Sequence, residues 1–216
     1  MRDRNAPLTS AEVDGLSWDK MDGLLPAIVQ GRASGRVLML GYMNREALQA
    51  TLESGFATFF SRSKQRLWRK GETSGNVLDV QAVTSDCDGD SLLVIADPHG
   101  PTCHEGSLSC FGDAWLRGPG WLAEVSAIVA ERAASGEDSS YTRHLLEGGA
   151  ERIAQKIGEE AVELALAAVT RDAAGCAEEA ADLLYHLVVL LQVRGMEWEQ
   201  VIEVLRRRHS AAPPSE

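Results

Sequence analysis

The sequence predicts two domains, a β-rich α+β half over residues 1–118 and an all-α helical bundle over residues 119–216. Before Gly118, short apolar runs alternate with turn residues, which is the texture of strands. After Gly120, every segment carries the three-to-four residue periodicity of helices. Between them, Arg117-Gly118-Pro119-Gly120 marks the change as a domain boundary. At 216 residues the chain is long enough to bury a core in each half.

Residues 1–14 are expected to form a flexible tail, and MRDRNAPLTSAEVDGL has no apolar run of the kind a secretory signal needs. Strands are predicted over RVLMLGYM (36–43), ATFFSRS (57–63), VLDVQAV (77–83) and SLLVIADP (91–98), each bounded by Gly, Asp, Asn or Ser. One helix interrupts them from Asn44 to Ser54, with Asn44 as its N-cap and Gly55 as its stop. In the second half, helices are predicted over Trp121–Ala134, from Ser139 or Ser140, over Ala150–Thr170, over Ala173–Arg194 and over Glu197–His209. The two long ones are rich in Ala, Leu and Glu. A flexible tail over 210–216 follows, and no internal repeat is present.

Acids outnumber bases 32 to 21, for a formal charge of -11. Such a chain is a poor general nucleic-acid binder, because that affinity comes from neutralising phosphates. The longest apolar stretch, Leu183 to Leu191, contains His186 and is about half a membrane span. Four cysteines without a secretion signal argue for reduced thiols or metal ligands over disulfides. The expected setting is the cytoplasm, with neither nucleic acid nor membrane as partner.

Cys87, Cys103 and Cys110 share a 25-residue stretch with Asp86, Asp88, Asp90 and His104. No paired C-x-x-C knuckle is present. Three thiolates leave the fourth position of a tetrahedral zinc free for water, the arrangement of catalytic sites. The alternating aspartates offer hard oxygen ligands that suit magnesium. The alternative for any single cysteine is a small buried hydrophobe, and Cys176, with no ligand-like neighbours, is read that way.

FFSRSKQRLWRKGETSGN gathers Arg62, Lys64, Arg66, Arg69 and Lys70 within nine residues. Ser61, Ser63, Thr73 and Ser74 add hydroxyls, and Gly71 and Gly75 let backbone amides approach an anion. This is either a phosphate-binding segment, with Trp68 available to stack on a base, or a charged strand that protects a sheet edge.

In the helical half Ile153, Ile157, Glu160, Leu164 and Ala167 share one face, so Glu160 interrupts an apolar stripe, with Glu159 and Glu163 close by. Glu179 and Asp182 lie three apart on the next helix, on a face shared with Leu183 and His186. Acids turned toward a bundle interior are costly unless paired or metal-bound. E-x-x-E followed by E-x-x-D therefore reads as a magnesium site for phosphate chains, against the alternative of a solvated acidic face. Arg143, Arg152 and Lys156 are at hand for the phosphates.

VLMLGYMN, FFSRSKQRLWRKGETSGN, SDCDGD and TCHEGSLSCF resemble phosphoribosyl-AMP cyclohydrolase, over residues 15 to 118. SYTRHLLEGGAERIAQKIGEEAVEL and EEAADLLYHLVVLL resemble phosphoribosyl-ATP pyrophosphohydrolase, over residues 121 to 209. Their order matches the fused bifunctional enzyme of histidine biosynthesis. The resemblance implies that the second half cleaves phosphoribosyl-ATP to phosphoribosyl-AMP and pyrophosphate. The first half then adds water and opens the purine between N1 and C6. It implies zinc on Cys87, Cys103 and Cys110, with the cysteines contributed across a homodimer interface, and magnesium on Asp86, Asp88 and Asp90. A second magnesium is implied on the helical acids.

His104 is the candidate proton shuttle, and Lys70 and Glu72 are weaker candidates for placing substrate. Arg62, Lys64, Trp68, Ser74, Arg152 and Lys156 are the candidate substrate-binding residues. Two positions depart from the resemblance: Gly41 stands where Ala is expected, and Glu105 where a small or hydroxyl residue is. The rival readings are a house-cleaning nucleotide pyrophosphohydrolase fused to another zinc domain, and a structural zinc module that recruits partners.

Overall fold

A computed structural model describes residues 3–112, 118–135 and 141–209. The chain divides into two compact units, Met1–Gly120 and Trp121–Glu216.

In the first unit a four-stranded sheet runs in the order β2-β1-β6-β5. Its strands are β1 (Leu25–Gly31), β2 (Val37–Met43), β5 (Leu78–Ser85) and β6 (Leu92–Pro98). β1 pairs antiparallel with β2 and parallel with β6, which pairs antiparallel with β5. A separate ribbon joins β3 (Thr58–Ser61) to β4 (Arg66–Arg69). Helix α1 (Arg45–Ser54) lies between β2 and β3. The Asn44 side chain accepts a hydrogen bond from the Ala47 amide, and Gly55, at φ 73°, closes the helix as expected.

β1 is absent from the strands read in the sequence, although it lies inside the sheet. Pro26 sits at its start, one residue before the pairing with β6 begins at Ala27, and Gly31 ends it. Punctuated at both ends, it offers only a weak local signal. Its alternation is nevertheless regular: Leu25, Ala27 and Val29 are buried while Ile28 faces outward. The core over this face contains Trp18, Met43, Leu48, Phe59, Leu78, Val83, Leu92 and Val94. At about 1.5–3 kcal/mol for each large apolar side chain, this burial is the main source of stability.

The expected tail over residues 1–14 is corrected from Leu8 onward. Leu8 and Val13 are 4% exposed and belong to the core, and the Leu8 amide bonds the Val83 carbonyl at 2.7 Å. Thr9 and Glu12 form a reciprocal capping box over the 3-10 turn Ser10–Gly15. Gly41 also has a physical reason: a Cβ there would lie 2.4 Å from the Phe59 ring, which fills the space an alanine methyl would need.

Among the described residues the second unit is helical: α2 (Trp121–Ser135), α3 (Tyr141–Glu147), α4 (Gly149–Thr170), α5 (Ala173–Val193) and α6 (Trp198–His209). The predicted start of the second helix at Ser139 or Ser140 lies outside the described residues. Asp172 caps α5 by accepting from the Gly175 amide, so α4 and α5 form a tight hairpin and pack along each other. The α4 stripe turns inward as read: Ile153, Glu160 and Ala167 are buried. Val129, Leu145, Ile153, Val188 and Val189 form the core, with Ile157 packed against it. Val162, Leu166 and Val169 remain exposed on α4. Among the described residues no helix is long and apolar enough to cross a membrane.

Candidate active sites

The hairpin turn between β5 and β6 carries the first carboxylate cluster. One ligand oxygen from each of Asp86, Asp88 and Asp90 lies within 4.8 Å of the others. The Asp86 Oδ1 accepts from the amides of Asp90 (3.0 Å) and Ser91 (3.2 Å), which fixes its orientation. Gly89, at φ 73°, makes the turn possible. Ser17 bonds the carbonyls of Asp88 and Gly89, tying the turn to the N-terminal segment. Lys20 reaches Asp88 at 2.6 Å and Asp90 at 3.4 Å. Its hydrogen bond holds the Asp88 carboxyl below the usual range.

Cys103 and Cys110 lie in the segment after β6. The Cys103 amide bonds the Ser107 carbonyl, closing a turn, and the Cys110 amide bonds the Leu38 carbonyl on β2. The two thiols are near enough to interact: burial first, then Cys103, pushes the Cys110 thiol up, while Lys70 acts weakly against this. His104 Nδ1 lies 3.9 Å from the Cys103 sulfur. Cys87 is exposed and does not join the other two in a group of three within one chain. Thr102, 3% exposed and next to Cys103, has a buried hydroxyl with no hydrogen-bond partner among the described residues.

Ser61, Lys64, Arg66, Trp68 and Glu72 line a cavity of about 180 Å³ along the β3–β4 ribbon. Trp68 is braced by Phe59, with ring centroids 5.1 Å apart. Arg66 holds Glu72 at 2.7 Å, keeping its carboxyl below the ordinary range and ionised. Arg62 instead lies over the Tyr42 ring at 4.0 Å. Lys70 bonds the Asn76 carbonyl at 3.3 Å, and Ser74 accepts from the Asn76 amide. Of the predicted substrate handles in this half, the cavity therefore gathers Lys64, Trp68 and Glu72 and leaves Arg62, Ser74 and Lys70 outside its lining.

In the helical unit Glu160, Glu179 and Asp182 bring one oxygen each within 4.8 Å of the others. Glu160 and Glu179 are only 7% and 8% exposed, and Asp182 is exposed. Glu163 is exposed and lies outside this group, and Glu159 faces Lys156 at 2.9 Å. Lys156 also approaches Glu160 at 3.6 Å. Its bond to Glu159 chiefly raises its pKa, with smaller contributions from Tyr141 and Glu160. Arg152 bonds Gln155, and Arg143 pairs with Glu147.

Four contacts at these clusters escape the motif reading. Arg171 pairs with Glu179. Lys20 spans two aspartates some 70 residues away, and no local pattern announces it. Tyr141 bonds His186 Nε2 at 2.9 Å, and His186 Nδ1 lies 3.8 Å from a Glu160 oxygen. The spacing of Asp182 and His186 on one face is the only sequence signal for this last contact.

A family model described as phosphoribosyl-AMP cyclohydrolase matches residues 39–112. A second, phosphoribosyl-ATP pyrophosphohydrolase, matches residues 122–209. The chain is 56% identical over 205 residues to the "Histidine biosynthesis bifunctional protein HisIE" of Escherichia coli K12, covering 94% of this chain and 99% of the relative. The protein of the same name from Salmonella typhimurium LT2 is 55% identical with the same coverage. That from Xanthomonas campestris pv. campestris is 55% identical over 197 residues, covering 91% and 94%.

Proposed function

The chain belongs to the family of bifunctional histidine-biosynthesis proteins that join a phosphoribosyl-AMP cyclohydrolase to a phosphoribosyl-ATP pyrophosphohydrolase, and from that premise we propose how its residues divide the work. The helical half releases pyrophosphate from phosphoribosyl-ATP. The β-rich half opens the purine of phosphoribosyl-AMP between N1 and C6. The house-cleaning alternative loses its ground, because relatives of one bifunctional name span both halves.

The observation that carries the assignment is one metal-capable carboxylate group in each half, each with its oxygens converging within 4.8 Å. Both fit a hard cation such as magnesium, since all six donors are carboxylates. In the helical half two of the three are buried, where unpaired carboxylates are costly. The neighbouring thiols of Cys103 and Cys110 fit zinc, and Cys87, apart from them within one chain, suits a site completed by a second copy. Zinc lowers the pKa of the water it holds, and magnesium offsets phosphate charge and polarises phosphoryl oxygens.

The protein's own groups supply positioning and proton handling. The Asp90 and Ser91 amides aim Asp86, and the Leu38 carbonyl anchors the Cys110 end of the thiol pair. His104, whose Nδ1 lies 3.9 Å from the Cys103 sulfur, is the group we assign to move a proton during ring opening. Lys64 and Arg66 supply cations to a substrate phosphate, and Trp68 offers a flat face to the base. Lys156 and Arg152 serve the leaving pyrophosphate. In the dimer we expect Val162, Leu166 and Val169, exposed along α4, to supply the contact face. A biosynthetic enzyme with these partners suits the cytoplasm.

Incubation with phosphoribosyl-ATP, followed by product identification, tests the reading. Pyrophosphate and the ring-opened product should both accumulate. Hydrolysis of ordinary nucleoside triphosphates at comparable efficiency would overturn it.

A further inference from the structure

His186 is 3% exposed, and both of its ring nitrogens are engaged. Nδ1 lies 2.8 Å from the Asp182 carbonyl, one helical turn earlier. A carbonyl only accepts, so Nδ1 carries a proton and the imidazole is fixed in one tautomer. In the neutral ring Nε2 is then an acceptor, and the Tyr141 hydroxyl, 2.9 Å away, donates to it. The phenol proton is thereby turned inward and the ring is pinned at its oxygen.

The remainder of Tyr141 is open. The residue is 55% exposed, although it begins α3 and is held at several points. Tyr185 lies beside it, with centroids 6.3 Å apart and planes 23° from parallel. Tyr185 is itself tied to Thr142 at 2.7 Å. The His186 ring that anchors Tyr141 approaches Glu160 at 3.8 Å on its other side. The tyrosine is thus one imidazole away from the carboxylate cluster. An aromatic ring rigidly anchored from below and open above, beside a site for phosphate chains, serves stacking better than packing.

We propose that Tyr141 is the platform on which the purine of phosphoribosyl-ATP stacks in the helical active site, with His186 the positioning residue that holds its ring. The proposal rests on the reading that Glu160, Glu179 and Asp182 form the metal site, and it assigns the base-binding side of that site. The nucleotide is placed with its phosphate chain toward the carboxylates and Lys156, and its base over the exposed phenol.

The test compares Tyr141→Ala, Tyr141→Phe and Tyr141→Trp in the full chain. Stacking on one aromatic ring is worth about 10- to 100-fold in affinity. Tyr141→Ala should raise KM for phosphoribosyl-ATP by that factor with kcat within about threefold. Phe and Trp, which keep a ring, should recover most of the loss. Inorganic tripolyphosphate, which has no base, should inhibit the Ala variant as well as the parent, and Mn2+ titrated calorimetrically without substrate should bind both alike. An unchanged KM in Tyr141→Ala would overturn the proposal. So would a fall in Mn2+ affinity matching the KM effect, which would place Tyr141 in support of the ligands. Glu160→Gln, titrated with Mn2+ alongside, reports on the metal reading alone, since the Tyr141 variants leave all three carboxylates in place.

Discussion

Replacing Glu160 with Gln keeps the shape of a residue 7% exposed while removing its charge. At an effective dielectric constant of about 20, two like charges 4.8 Å apart, the outer limit for Glu160 with Glu179 or Asp182, repel by about 3.5 kcal/mol. The Lys156 contact at 3.6 Å returns about 4.6 kcal/mol on the same scale. Asp182 is exposed, so solvent weakens its share of the repulsion. Attraction and repulsion are therefore of the same order and partly cancel, so the metal-free variant should stay folded. Metal binding has no such offset. Removal of a group that only orients a ligand costs about 10- to 100-fold in affinity, so loss of a charged ligand should cost at least about 100-fold. Calorimetric titration with Mn2+ and a pyrophosphate-release assay measure this, while added phosphoribosyl-AMP should still be converted. A folded Glu160→Gln variant that binds Mn2+ and releases pyrophosphate like the parent would show the acids to be a solvated face.

Cys103→Ala or Cys110→Ala should abolish ring opening and leave pyrophosphate release within about twofold; metal analysis finding a fully active, zinc-free protein would refute the thiol site. Inactive Cys87→Ala and Cys103→Ala chains, mixed under conditions of subunit exchange, should regain part of the ring-opening activity. Confirmed exchange without recovery would mean that each chain builds its thiol site alone. Gly41→Ala places a methyl 2.4 Å from the Phe59 ring and should destabilise the first unit by about 1–3 kcal/mol. A chemical-denaturation midpoint equal to the parent's would show that Phe59 moves aside freely.

What the sequence made legible was whatever is local in the chain. The Asn44 cap and Gly55 stop of α1, the inward turn of Glu160 on α4 and the DCDGD turn all depend on spacings of a few residues, and each stands where the pattern puts it. β1 escaped because its place inside the sheet comes from β2 and β6, while its own residues are bracketed by Pro26 and Gly31. Leu8 and Val13 escaped for the same reason: in a polar N-terminal stretch, only the partner strand at Val83 reveals that they enter a core.

The same distinction runs through the sites. Each carboxylate group was visible because its members recur at short spacing within a turn or a helix, yet several of the groups that hold or neutralise those members come from elsewhere in the chain. Lys20 reaches the aspartate turn from the N-terminal segment, Arg171 reaches Glu179 across the α4–α5 connection, and Tyr141 reaches His186 from α3. A motif of acids records where a cation can be bound. The residues that set how tightly it binds, and which face of a substrate meets it, belong to the fold. For that reason a matched pair of variants, one in the motif and one in its distant partner, separates the two: Glu160→Gln should remove the cation, and Tyr141→Ala should leave the cation and loosen the base.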